Sequence, residues 1–246
     1  MTTKSALFIS ILSFLLIPLL VQGAESQITV AVAANFSRAL NEVSEKFQKD
    51  TGIEVRYSVA STGKLYALIN NGAPFDIFLA ADTKRPEMLF KKGLATKPVV
   101  YAKGHAVLWA SKENLCKMKN WRHAISSATV TKVAIPSPKL APYGAVVAPL
   151  LENGDLPKIP LVYGNNVNLA FQFSENITGI GFTALSLALS EPGLKGCYWL
   201  MPETEAVQQG ACVLKRTKKR AETEAFLAYL LSDKTTKLLT KYGYGG

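Results

Sequence analysis

Residue types suited to catalysis are scarce in this sequence. The chain has two histidines, His105 and His123, and contains neither a Gly-x-Ser-x-Gly motif nor a His-Glu-x-x-His motif. A multi-histidine metal site is therefore excluded, and a serine hydrolase triad has no support. The carboxylates Asp76 and Asp82 flank a predicted strand, where turn and cap roles are favoured over acid–base catalysis.

One arrangement of small and polar residues recurs where an apolar strand ends and a helix begins. The four junctions are Ala34-Asn35, Ser61-Thr62-Gly63, Pro142-Tyr143-Gly144 and Asn166-Val167. In an open α/β sheet, ligands bind outside the carboxyl ends of the strands. Helix N-termini offer unpaired N–H groups and partial positive charge there. Each junction alone is typical of a helix N-cap, but together they predict an anion site built without Lys or Arg.

The segments around these junctions alternate between strand and helix patterns. Residues 28–34 form an apolar run typical of a buried strand, and residues 36–47 carry an apolar stripe at helical spacing. Further strands are predicted over residues 53–59, 75–80, 106–110, 133–135 and 180–184, with helices after Gly63, after Gly144 and from about Val167. This alternation indicates an α/β fold.

Composition and the first residues indicate an exported globular protein. The 246 residues are 48% hydrophobic with a formal net charge of +10, which excludes a disordered chain and a disulfide miniprotein. Lys4, the apolar stretch 6–21 and the small residue Gly23 are typical of a secretory signal peptide, so residues 1–23 are predicted to be removed. A retained membrane anchor is the alternative, because this stretch approaches the length of a spanning helix.

The disulfide state of the three cysteines is open from sequence. Cys116, Cys197 and Cys212 are too few for a disulfide framework and too dispersed for a zinc site. Cys197 and Cys212 lie on two short apolar runs, 197–201 and 211–214, that could pair as a hairpin. A bridge between Cys197 and Cys212 with Cys116 free is therefore predicted. Three reduced cysteines in the core are the alternative.

Six segments together form a specific pattern. They are residues 32–36 (VAANF), 60–66 (ASTGKLY), 71–76 (NGAPFD), 79–82 (LAAD), 138–144 (PKLAPYG) and 181–186 (GFTALS). In this order they closely resemble the periplasmic molybdate-binding proteins of bacterial ABC transporters. The resemblance implies the type II periplasmic-binding fold, with two α/β lobes joined by two crossing strands. It places residues 24–104 and 188–246 in the first lobe and residues 105–187 in the second.

The resemblance also implies a set of oxyanion-binding residues between the lobes. They are Asn35, Ser61, Thr62, Tyr143 and Val167. The first three would bind through backbone N–H groups and side-chain donors, and the last two mainly through backbone N–H groups. Some family members place a tyrosine hydroxyl on the anion from the position of Ala184, which cannot donate. The presence of Asn35 resembles the branch of the family that binds the anion with asparagine.

The chemistry of the junctions narrows the expected ligand. They carry no Asp or Glu at their tips. Hydrogen phosphate has a proton that needs an acceptor, whereas molybdate, tungstate and sulfate only accept hydrogen bonds. A deprotonated tetrahedral dianion is therefore expected, and the resemblance favours molybdate, with tungstate as a competitor. The resemblance implies a periplasmic carrier, not an enzyme, without a cofactor. We expect a monomer whose partner is an ABC-transporter permease and that does not bind nucleic acid.

Three alternatives remain at this point. The same fold could bind sulfate, phosphate or a metal complex. An exported phosphoryl-transfer enzyme could use Asp76 or Asp82 as an acid or base. A basic adhesion or membrane-surface protein could use the run 215–220, although a solvated loop before a helix is the favoured interpretation of that run.

Overall fold

The structure is a computed structural model that describes residues 26–153 and 156–245, so the predicted signal peptide lies outside the described residues. Within them the strands are β1 (Gln27–Ala33), β2 (Glu54–Ala60), β3 (Ile77–Leu79), β4 (Val99–Gly104), β5 (Ala106–Ala110), β6 (Val133–Pro136), β7 (Leu161–Gly164), β8 (Ile180–Ala184), β9 (Cys197–Leu200) and β10 (Val207–Val213). The helices are α1 (Ser37–Thr51), α2 (Thr62–Asn70), α3 (Lys84–Lys91), α4 (Glu113–Cys116), α5 (Trp121–Ile125), α6 (Pro142–Glu152), α7 (Val167–Phe173), α8 (Leu185–Ala188), α9 (Arg220–Leu230) and α10 (Asp233–Thr240). Among these helices none is both long enough and apolar enough to cross a membrane.

The strands form two five-stranded mixed sheets, one in each lobe. The first has the order β2-β1-β3-β10-β4 and the second the order β7-β6-β8-β5-β9. In the first sheet β1 is parallel to β2 and β3, whereas β10 is antiparallel to both of its neighbours. Helices pack against the sheets, so the predicted two-lobed α/β fold is confirmed.

The chain crosses between the lobes twice. His105 alone separates β4 of the first sheet from β5 of the second, and residues 201–206 lead back from β9 to β10. The predicted return to the first lobe at residue 188 is therefore wrong for β9, which pairs with β5. The predicted hairpin of residues 197–201 and 211–214 is wrong for the same reason, because the two runs lie in different sheets.

The burial pattern explains why β1 is an inner strand of the first sheet. Ile28, Val30 and Val32 pack into the apolar cluster on one face, whereas Ala31 packs into the cluster on the other. This alternation follows from the two-residue period of a strand. The apolar stripe of α1 covers the first of these faces, and the helix ends at Gly52, whose φ of 75° is readily adopted by glycine.

The disulfide joins Cys116 to Cys197, with 5.6 Å between their Cα atoms, so the predicted Cys197–Cys212 bridge is wrong. Pairing of Cys197 with Ala110 places it beside the end of β5, where α4 also begins. Cys212 instead lies opposite Phe78 in the core of the first lobe. Burial raises the pKa of the Cys212 thiol to about 12.

Candidate functional site

The four predicted junctions converge on one small cavity of about 10 Å³ between the lobes. Its lining includes all five predicted site residues, which are Asn35, Ser61, Thr62, Tyr143 and Val167. The described residues that line this cavity, which we call the junction cavity, include no charged side chain. Helix N-termini and neutral donors therefore set its electrostatic character.

Three helices begin at the junction cavity, and polar side chains cap two of them. The Ser61 hydroxyl caps α2 by accepting from the Lys64 N–H at 3.3 Å, and the Asn166 side chain caps α7 by accepting from the Leu169 N–H at 2.9 Å. Helix α6 begins with Pro142, whose fixed φ suits the first helical position. Thr62, Tyr143 and Val167 lie in these first turns and line the cavity, and since backbone N–H groups at the start of a helix have no carbonyl partner one turn earlier, those of the three residues can bind an anion.

The hydroxyl groups of Ser61 and Thr62 add side-chain donors to this set. Both residues are buried, and the Thr62 oxygen accepts a hydrogen bond from the Ala81 N–H at 3.1 Å. Because each hydroxyl oxygen already accepts from a backbone N–H, its own proton remains available to a ligand. The first lobe can therefore offer two hydroxyl donors together with its backbone N–H groups.

The side chain of Asn35 is held by a buried polar network. Its Nδ2 donates to Gln209 Oε1 at 2.8 Å and to the Tyr244 hydroxyl at 3.1 Å, and lies 3.4 Å from the Tyr143 hydroxyl. The backbone carbonyl of Asn35 accepts from Tyr244 at 2.8 Å and from Ser186 at 3.1 Å. No local pattern in the sequence connects Gln209, Tyr244 or Ser186 with Asn35, so these partners were not predicted.

The side chains of Tyr143 and Val167 contribute packing and network contacts. The Tyr143 hydroxyl accepts from Gln209 Nε2 at 3.2 Å, and burial raises the pKa of Tyr143 well above its usual value, so the phenol stays neutral. Val167 packs into the core of the second lobe. Because the Val167 side chain packs into the core, Val167 can offer a ligand its backbone N–H group, and Tyr143, which also lines the cavity, can offer its own backbone N–H group.

The lobes touch across the cleft beside the junction cavity. The Gly63 N–H, in the first turn of α2, donates to the Leu140 carbonyl of the second lobe at 3.0 Å. A Cβ at Gly63 would lie 3.2 Å from both the Cα and the carbonyl oxygen of Leu140. The lobes are therefore in a closed arrangement, in which the absence of a side chain at Gly63 permits the close approach.

Asp76 and Asp82, the two carboxylates considered as acid–base groups, both have structural partners. Asp82 accepts from the Arg85 N–H at 2.9 Å and forms an ion pair with the Arg85 guanidinium, so its predicted cap role is confirmed. Asp76 accepts from the Thr29 N–H at 2.7 Å and from the Thr217 hydroxyl at 2.5 Å, which ties β1 to the loop after β10. Over residues 26–153 and 156–245, no three His, Cys, Asp or Glu side chains cluster as metal ligands would.

Comparisons with known proteins agree with this geometry. Residues 28–245 match the family described as bacterial extracellular solute-binding protein. A molybdate-binding protein ModA from Azotobacter vinelandii is 36% identical over 91% of this chain and 91% of its own length. One from Rhodobacter capsulatus is 31% identical over 94% of this chain and 92% of its own length.

A solved structure shows the same fold. The periplasmic molybdate-binding protein of Azotobacter vinelandii superposes with a TM-score of 0.79 at 30% sequence identity, over 88% of this chain and 98% of that one. These relatives are named as binding proteins. The chain is accordingly a solute-binding protein and not an enzyme.

Proposed function

The chain belongs to the bacterial extracellular solute-binding proteins, within the family of periplasmic molybdate-binding proteins, and we propose that it captures molybdate between its lobes. It delivers the anion to the permease of an ABC transporter. It acts as a monomer in the periplasm, to which a signal peptide over residues 1–23 directs it. Tungstate, which is nearly the same size as molybdate, competes for the same site.

The observation that supports this proposal is the neutral lining of the junction cavity. Helix N-termini and two hydroxyl donors surround a cavity to which none of the described residues contributes a carboxylate. A tetrahedral dianion that accepts hydrogen bonds on every oxygen suits such a set of donors. Hydrogen phosphate suits it less well, because its proton would have no carboxylate acceptor. The cavity thus favours a fully deprotonated oxyanion.

In this proposal each site residue has a defined part. Ser61 and Thr62 bind the anion through their hydroxyls and backbone N–H groups. Asn35 binds from the first lobe through its backbone N–H, because its carboxamide N–H groups have partners in the network. Tyr143 and Val167 bind from the second lobe through backbone N–H groups. An anion held by both lobes stabilises the closed arrangement, which the permease recognises.

A thermal melt of the protein beginning at Ala24, with excess molybdate, tungstate, sulfate or phosphate, tests this function. An anion at about 100 times its dissociation constant adds about 2.7 kcal/mol. For a chain of this size the melting temperature then rises by roughly 5 to 11 °C. Molybdate and tungstate are expected to produce this rise. A rise with sulfate or phosphate instead would reassign the ligand, and no rise with any anion would contradict oxyanion capture.

Thr62→Val is the matched site variant for this experiment. Valine keeps the shape of threonine but has no hydroxyl donor, so the shift with molybdate should shrink. Thr51→Val is its control, because the Thr51 hydroxyl donates to the Phe47 carbonyl at the end of α1 and Thr51 does not line the junction cavity. Equal shifts in the two variants would contradict the part assigned to Thr62.

A further inference from the structure

The carboxamide of Gln209 contacts a residue from each lobe. Gln209 is fully buried on β10, the strand that follows the second crossing. Its Oε1 accepts from Asn35 Nδ2 of the first lobe at 2.8 Å, and its Nε2 donates to the Tyr143 hydroxyl of the second lobe at 3.2 Å. A single side chain therefore joins two of the proposed anion-binding segments.

A β-bulge explains how Gln209 reaches this position. In the pairing of β10 with β4, Gln209 lies opposite Ala102 whereas Gly210 lies opposite Val100, so Tyr101 is the extra residue. Bulges redirect side chains and are common next to functional sites. The Tyr101 hydroxyl donates to Gln209 Oε1 at 3.1 Å, which fixes the orientation of the carboxamide.

There is little free space around the hydrogen bond between Gln209 and Tyr143. Gly104 is the last residue of β4 before the chain crosses to the second lobe. A Cβ at Gly104 would lie 2.2 Å from the Tyr143 hydroxyl oxygen and 2.9 Å from Gln209 Nε2. A residue with a side chain at this crossing would therefore displace one or both groups.

We propose that Gln209 is a positioning residue for anion capture, an inference that rests on the proposed function. Gln209 does not touch the anion. Its bond to Tyr143 forms as the lobes close and orients the first turn of α6, where Tyr143 lines the junction cavity. Because the bond is made only in the closed arrangement, it holds the lobes together after the anion has entered.

This role has a kinetic consequence. The anion enters before the hydrogen bond between Gln209 and Tyr143 forms. Loss of this hydrogen bond therefore leaves the association rate constant unchanged. Release requires the bond to break, so its loss raises the dissociation rate constant. A residue needed merely for folding would instead lower the melting temperature of the unliganded protein without this separation of the two rate constants.

The test compares Tyr143→Phe, Gln209→Met and the double variant with the wild-type protein, using stopped-flow fluorescence with molybdate. Tyr143→Phe removes one hydroxyl and leaves the backbone N–H in place. Each single variant should raise the dissociation rate constant roughly two- to tenfold, as expected for one hydrogen bond, with the association rate constant unchanged. The double variant should fall short of the product of the two single effects, since both remove the same bond.

Tyr57→Phe is the matched control, because it removes a hydroxyl that donates to Asn41 on the surface of the first lobe. An unchanged dissociation rate constant in Tyr143→Phe would overturn the inference, as would single effects that multiply fully in the double variant. If Gln209→Met does not fold, Gln209→Asn takes its place, because the shorter side chain withdraws the amide group from the Tyr143 hydroxyl. If the wild-type protein binds molybdate and Tyr143→Phe releases it at the same rate, this inference is wrong but the proposed function stands. Wild-type protein that binds neither molybdate nor tungstate overturns both.

Discussion

The guanidinium of Arg85, in the first lobe, donates a hydrogen bond of 2.8 Å to the backbone carbonyl of Lys139, in the second. Arg85 is the residue that Asp82 holds in place at the start of α3. This contact lies outside the junction cavity, in the segment that also brings Leu140 against Gly63. It contributes to closure without any contact with the proposed ligand.

Arg85→Ala should therefore weaken molybdate binding although Arg85 does not line the cavity. Loss of one charge-assisted hydrogen bond costs about 1 to 2 kcal/mol of the closed arrangement, which predicts a Kd roughly 5 to 30 times higher. Isothermal titration calorimetry measures the change. Arg220→Ala, which removes an exposed ion pair with Glu224, is the matched control and should bind as the wild type does. Equal affinities of both variants for molybdate would contradict a role of Arg85 in closure of the lobes.

Gly63→Ala should weaken binding through the geometry of the cleft. The added methyl would lie 3.2 Å from Leu140 backbone atoms, so the closed lobes must separate by a few tenths of an ångström. We expect a higher Kd for molybdate and an unchanged melting temperature without ligand. Gly245→Ala is the control, because a Cβ there meets no atom within 4 Å. A Gly63→Ala variant with wild-type affinity would show that the approach of the two lobes is less tight than the structure shows.

Reduction should lower the stability of the wild-type protein. The Cys116–Cys197 bridge closes a long loop, with a sequence separation of 81, and bridges of this kind contribute about 2 to 4 kcal/mol. The melting temperature should fall by roughly 4 to 16 °C with a phosphine reductant. Cys116→Ala should melt at the same temperature with and without reductant, whereas Cys212→Ala should keep the wild-type response. A Cys116→Ala variant that remains sensitive to reductant would point to the other pairing.

Alkaline pH should destabilise the protein through its buried tyrosines. Burial raises the pKa of Tyr244 to about 12 and raises those of Tyr101 and Tyr143 well above 10. Above about pH 10 the unfolded chain therefore loses protons that the folded chain retains, and the free energy of unfolding falls as pH rises. Tyr244→Phe should show a shallower fall in chemical denaturation between pH 10 and 11.5. Identical slopes would mean that Tyr244 ionises equally in both states.

The strand-to-helix junctions were accessible from sequence because their signals are local. A buried strand ends, a cap residue such as Ser61 or Asn166 follows, and a helical stripe begins, so a few consecutive residues suffice to locate each one. Their convergence follows from the rule that strand carboxyl ends share one edge of a sheet. That these residues contact the anion stays a prediction.

The polar network and the disulfide were not accessible in this way. Gln209, Tyr244 and Asn35 are separated by long stretches of chain, and a bulge that aims Gln209 inward depends on how β10 pairs with β4. The disulfide prediction was wrong because closeness in sequence suggested a hairpin. Cys197 lies on β9, and β9 pairs with β5 in the second sheet. This long-range pairing places Cys197 near Cys116 and away from Cys212.

The neutral lining of the junction cavity has a consequence for ionic strength. Charge outside the cavity, including the exposed Lys84 and Lys139 of the neighbouring groove, attracts an incoming anion over distances that salt screens beyond about 10 Å at 0.1 M. Dipoles and hydroxyls that enclose the bound anion are screened far less. Added sodium chloride should therefore slow capture of molybdate while leaving its escape almost unaffected, which rapid mixing at several salt concentrations would measure. A periplasm of changing salinity would then alter how quickly the carrier fills, but not how long it stays filled.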